Sequence, residues 1–333
     1  MKIFSFLSIL LLSGGIMSVS VYAENVPLKI RTLFNIKDSF CSIKTNGVTG
    51  MDNRESAFDG YGRGISSTNS LLFMENGENE ISLEIGSTAW FSDKKIDDST
   101  RAIFSNSASC QIDLIRWDNK NKTTLGSITV SIDKDGKPIE TSGPVNNIIS
   151  RKVMAEQVTP GYIDPEYYSD KYFPKNMELY QFTKKVHISG VPEWKWIKAT
   201  TFTSSEDQIN NLRNAYLEIA TIINMRNRSL LKESHSIALQ AWSKTTGESE
   251  DDILSSQYPK EDIESGKVKI DPIKWDKYSL RVMNRGRLVQ FYNKSNPDYS
   301  PLTFHSKDKD GNEVMGYYAP IFSLINGKFV VVL

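Results

Sequence analysis

Side chains that carry chemistry are scarce in this chain, with three histidines and two cysteines among 333 residues. His187, His235 and His305 are far apart, and the fourth residue after His235 is Leu239, which excludes the two-histidine helix of a metalloprotease. Each reads as a surface or hydrogen-bonded histidine, and no metal is expected. Cys41 and Cys110 form no C-x-x-C pair, so thiol redox catalysis is not expected. Charge of one sign is missing as well. Forty basic residues balance forty acidic ones, leaving no net field to draw nucleic acid or an anionic membrane.

Catalytic and cofactor motifs are also lacking. There is no G-x-S-x-G elbow to expose a serine nucleophile. Ser-x-x-Lys spacings start at Ser92, Ser131, Ser229 and Ser306, on four different segments, and Lys244-Thr245-Thr246-Gly247 misses the Lys-Thr-Gly element that would support a penicillin-binding reading. Gly60-Tyr61-Gly62-Arg63-Gly64 is followed by no Gly-Lys-Ser/Thr and has no strand-then-helix setting, so no phosphate-binding cofactor is expected there. It reads as a loop at one end of a β domain, where such folds place their binding surfaces. Asp133-Lys134-Asp135-Gly136 and Asp308-Lys309-Asp310-Gly311 imitate the middle of a calcium loop, but Ser131 and Ser306 replace the first ligand, and Ser142 and Tyr317 the last. Both read as turns. Glu166, Asp170, Glu193 and the acidic 248–264 stretch offer carboxylates for a glycoside hydrolase, and sequence pairs none of them.

Long apolar runs are confined to the start of the chain. Lys2 precedes a charge-free run at 3–12, and Val21-Tyr22-Ala23 places compact residues where a signal peptidase probes. We expect a signal peptide at 1–23, cleavage after Ala23, a periplasmic or secreted mature protein, and no membrane span once the signal is removed. No cysteine follows the run to accept a lipid. In an oxidising compartment Cys41 and Cys110 are expected to pair as a disulfide that contributes about 4 kcal/mol.

The expected fold class is α+β, with an antiparallel, jelly-roll-like β-sandwich at 24–145 and an α+β domain at 151–333. Short alternating runs at 28–31, 39–44, 80–85, 111–117 and 127–132, separated by Gly, Asn, Asp and Ser, carry the first expectation. The linker is expected at 141–150. Beyond it lie strands at 180–188 and 194–203, then a helix capped by Ser204 or Ser205 with Ile209, Leu212, Tyr216, Ile219 and Ile223 at helical spacing. A second helix is expected over 230–242 and up to Gly247, a solvent-exposed acidic connection over 248–266, and strands at 278–283, 288–292, 313–318, 321–325 and 329–333.

Aromatic residues supply the candidate binding site. Trp194 and Trp196, two apart on an expected strand, share one face, and Tyr162, Tyr167, Tyr168 and Tyr172 gather in one loop. One reading packs the Trp pair in the core against the 209–223 helix, and the other makes these residues an anchor for a protein or a sugar.

The stretch Asn76-Gly77-Glu78-Asn79-Glu80-Ile81-Ser82-Leu83-Glu84-Ile85 resembles the turn and strand of galactose-binding-like jelly-roll domains. That resemblance implies a carbohydrate-binding β-sandwich. The architecture, a β domain and an α+β domain behind an export signal without a catalytic motif, resembles bacterial periplasmic immunity proteins that neutralise antibacterial effectors. It implies a non-enzymatic binding protein whose partner is a secreted effector or toxin. Carbohydrate binding and an unrecognised envelope hydrolase are the alternatives.

Overall fold

The computed structural model describes residues 27–118, 121–143, 147–166, 172–307 and 310–333. The expected signal segment, Tyr167, Tyr168 and the start of the second Asp-x-Asp-Gly turn lie outside them. The fold is α+β: antiparallel sheets come first, then helices, then a further antiparallel sheet.

The first half is built from β1 (Lys29–Lys37), β2 (Phe40–Thr45), β3 (Val48–Asp52), α1 (Arg54–Phe58), β4 (Gly64–Asn69), β5 (Gly77–Gly86), α2 (Asp98–Arg101), β6 (Ser109–Asp118), β7 (Asn121–Ile132), β8 (Pro138–Glu140), β9 (Ile148–Met154) and β10 (Glu178–Ile188). They form two five-stranded sheets, ordered β4-β1-β6-β7-β8 and β3-β2-β5-β10-β9. Strand periodicity puts Ile30, Phe34 and Ile36 of β1, and Cys110, Ile112 and Leu114 of β6, on one inner face. Cys41, Ile43, Ile81, Leu83, Ile85 and Phe182 meet them from the other sheet. Ile81, Leu83 and Ile85 do share a buried face, but Ser82 and Glu84 between them are also buried, at 3% and 6% exposure. β5 is therefore covered on both sides. Ladder pairing of β10 with β5 and β9 carries the sandwich on to Ile188, so the division expected at 145–151 falls inside it.

The second half contains α3 (Glu206–Asn224), α4 (Arg228–Ser234), α5 (Ser236–Thr246), α6 (Glu250–Gln257), α7 (Lys260–Ser265), β11 (Tyr278–Met283), β12 (Leu288–Asn293), β13 (Leu302–Lys307), β14 (Glu313–Tyr318), β15 (Phe322–Ile325) and β16 (Lys328–Val331). Its sheet runs β11-β12-β15-β16, with β13 and β14 as a separate hairpin. Ser205 caps α3, accepting the Gln208 N–H at 3.3 Å, and Leu212, Tyr216, Ile219 and Ile223 pack on this sheet. Buried Tyr216 keeps its hydroxyl satisfied by accepting the Phe291 N–H at 3.0 Å, while its ring lies 4.7 Å from that of Phe322.

Three expectations need correction. The helix expected from 230 is two helices that meet at His235; its end at Gly247 is as expected, with the left-handed φ of 81° closing α5. The 248–266 segment folds as α6 and α7, because Ser249 caps three acidic residues and Ile253, Leu254 and Ile263 are buried. Trp194 and Trp196 are not on a strand. Trp194 precedes a single 3-10 turn, Lys195–Lys198, and both indoles belong to the same buried cluster as the sandwich interior, together with Met283, Leu288 and Val332. The two halves therefore share a core.

Candidate functional site

The outer face of the second sheet is lined by a row of polar residues in register: Asp52 on β3, Ser42 on β2, Glu84 on β5, Gln181 on β10 and Arg151 on β9. Neighbouring strands are about 4.8 Å apart, so Asp52, Ser42 and Glu84 stand side by side. Glu84 Oε1 accepts Lys44 Nζ at 2.7 Å and Gln181 Nε2 at 2.8 Å. Asp52 Oδ1 accepts the Arg54 backbone N–H at 2.9 Å. The corner between β3 and α1 is pinned by Asn53, whose side chain accepts the Cys41 N–H at 2.7 Å and donates to the Ser39 carbonyl at 2.9 Å.

The second half of the chain closes over this row and leaves a cleft of about 770 Å³. Its far wall carries Arg281 and Gln290, paired across β11 and β12. Arg281 grips Glu156 with two bonds of 2.5 and 2.9 Å and stacks over the Tyr292 ring. At one end, Arg54 is 2% exposed and lies over Phe173, with Nη2 donating to Asn296 Oδ1 at 3.0 Å and to the Asp298 carboxylate. Its Nε and Nη1 are buried without a partner. The Gly60–Gly64 loop forms the rim, contributing Tyr61 and Arg63. Gly62 is required there: at φ +53° it runs so close to β2 that a Cβ would stand 2.8 Å from the Ser39 nitrogen.

Charges in the cleft do not cancel. Six carboxylates (Asp52, Glu55, Asp59, Glu84, Glu156 and Asp298) face three guanidiniums, from Arg54, Arg63 and Arg281. Burial raises the Asp52 carboxyl above its ordinary range; Arg54 opposes this, and Asp298 and Glu156 add to it. Burial also penalises the charge on Glu156, but Arg281 outweighs it and holds that carboxyl below its ordinary range. Burial and the nearby Asp298 push the Tyr317 hydroxyl up to about 12, so it remains a neutral donor at the mouth. Ser42 and Gln290 are 5% and 8% exposed, line the cleft, and make no side-chain hydrogen bond to another described residue. Hydroxyl, amide, carboxylate and aromatic groups thus point into one space. That set suits a polar ligand with several hydrogen-bonding groups.

Of the aromatic residues singled out from sequence, the described ones, Trp194, Trp196, Tyr162 and Tyr172, do not form one site. Trp194 and Trp196 are 4% and 1% exposed, with indole N–H groups donating to the Leu71 and Leu72 carbonyls at 3.1 and 3.2 Å. Their anchor role is corrected to a core role, because no face of either ring is left for a partner. Tyr162 is exposed, with its carbonyl held by Gln157 at 2.7 Å. Tyr172 is half-buried against Phe58, ring centres 6.0 Å apart. Among the described residues of the loop, Phe173 lines the cleft. Cys41 and Cys110 are fully buried and approach within 2.6 Å across the sandwich as free thiols; the expected disulfide is not formed. Among the described residues no group of three or more His, Cys, Asp or Glu is placed to hold a metal ion, and no helix is long and apolar enough to cross a membrane.

Sequence reasoning found the glycine loop at the rim and missed the rest of the cleft. Asp52, Ser42 and Glu84 sit at alternating polar positions that look like any solvated sheet face. No protein-family model, curated protein or solved structure matches this chain.

Proposed function

We propose that this is an exported, non-enzymatic binding protein that holds a hydroxyl-rich ligand, a carbohydrate, in the cleft between the sandwich and the second half of the chain. The observation that carries the reading is a pair of polar residues, Ser42 and Gln290, that line the cleft beside the carboxylates of Asp52 and Glu84 and make no side-chain hydrogen bond to another described residue. Their polar atoms stay open to the cleft, free to bond a ligand's hydroxyls. Half-exposed Tyr317 and exposed Tyr61 at the mouth supply faces on which a sugar ring can stack. Screening the mature protein on a glycan array, followed by calorimetry with any retained sugar, tests this. No retained glycan, or binding unchanged by Gln290→Ala, would refute it.

A second reading, neutralisation of a secreted effector or toxin by direct contact, draws on the exposed apolar residues beside the rim. Ile65, on edge strand β4 of the first sheet, is 80% exposed, and Tyr61, in the loop before it, is 69% exposed. Partner capture from envelope extracts, lost in Ile65→Asp, would favour this reading over the first. In the oxidising compartment that both readings assume, Cys41 and Cys110 are placed to close a disulfide between the sheets.

A further inference from the structure

Resting on the carbohydrate reading, we propose that the cleft selects sugars bearing a free amino group, with Asp52 as the residue that receives the ammonium. The first argument is charge. Even with Lys44 counted behind Glu84, carboxylates around the cleft outnumber cations six to four, so a cation gains and an anion loses on entering. The second is which carboxylate remains available. Glu156 is committed to Arg281, Asp298 to Arg54 and Glu84 Oε1 to Lys44, whereas no cationic side chain pairs with Asp52 or with exposed Asp59 among the described residues, and of these two only Asp52 stands in register beside Ser42. Its Oδ1 takes only a backbone N–H. The third is what flanks it. Ser42 stands next to Asp52 in the same row and Gln290 lines the cleft's other wall, so a ring whose amine meets Asp52 has a hydroxyl donor and an amide within the same space for its own hydroxyls. An acidic cleft lined by neutral donors and acceptors fits an aminated polyol better than a bare polyamine, whose methylene chain offers Ser42 and Gln290 no hydroxyl to bond.

Calorimetry with glucosamine oligosaccharides and their N-acetylated counterparts, at a pH low enough to protonate the amine, tests the assignment. The amino form is expected to bind about tenfold or more tightly than the acetylated form, the effect of one charge-assisted hydrogen bond. Asp52→Asn should erase that preference, bringing the two forms to within about threefold of each other. Gln290→Ala should weaken both forms alike, and it keeps the test decisive should Asp52→Asn fail to fold. Equal binding of the two sugars by the unaltered protein overturns the amine assignment and leaves the carbohydrate reading standing. No binding of either overturns both. Tighter capture of a lysine-rich peptide than of either sugar overturns the assignment in favour of a protein ligand.

Discussion

Acid should weaken this fold through one buried histidine. His235, at the junction of α4 and α5, is 2% exposed; its Nε2 shares a 2.8 Å hydrogen bond with the Tyr258 hydroxyl, and its Nδ1 lies 3.0 Å from the Leu231 carbonyl. Burial pulls its pKa from 6.5 down to about 4, with the Leu231 carbonyl opposing the shift. The folded state therefore binds the proton less readily than the unfolded chain. Stability is unaffected above pH 6.5, falls as pH drops toward 4, and levels off below that value. Between about pH 7.5 and 4.5 the linkage amounts to about 2.5 kcal/mol lost, an order-of-magnitude figure. Urea denaturation across this range, followed by circular dichroism, measures it; with a slope near 3 kcal/mol per molar, the midpoint should move by roughly 0.8 M. Carboxylates titrate in the lower part of the same window, so the decisive quantity is the difference between the unaltered protein and His235→Leu. That variant is expected to be less stable at neutral pH, because the Tyr258 hydroxyl loses its partner, and to show a smaller fall toward pH 4.5. A pH dependence identical in the two proteins would refute the argument.

Trp196→Ala should destabilise by about 3–5 kcal/mol, since it removes a fully buried indole and strands the Leu72 carbonyl, whereas Tyr162→Ala should change the thermal midpoint little. Glu156→Gln leaves Arg281 without a charge partner in the seam, and a loss of about 3 kcal/mol is expected by urea denaturation. Arg54→Met should lower stability by about 1–3 kcal/mol in urea denaturation, because buried Asn296 loses its donor and Asp52 the cation that opposes its burial; unchanged stability would show that Arg54 does not serve the fold. If Cys41 and Cys110 close a bond on export, intact-mass measurement of protein from the envelope will show the loss of two hydrogens, and reduction will lower stability by about 4 kcal/mol.

Periodicity and capping chemistry were enough to read the α+β class, the strands β5 and β6, and α3 with a cap at Ser204 or Ser205, because these depend on neighbours two to four residues away. Residues 248–266 show the limit of that reading: their acidic surface hid Ile253, Leu254 and Ile263, whose burial depends on partners elsewhere in the chain. Trp194 and Trp196 carry the same lesson, since an indole two residues from another says nothing about whether both find the Leu71 and Leu72 carbonyls in a core. The cleft lay furthest from view. Asp52, Ser42 and Glu84 come from three strands, and Arg54, Glu156, Arg281 and Gln290 converge on them from segments up to more than two hundred residues away in sequence. Local sequence determined the strands and which of their residues alternate. Only the closure of the second half over the sandwich decided that this polar face would be buried, and burial is what turned ordinary surface side chains into a site.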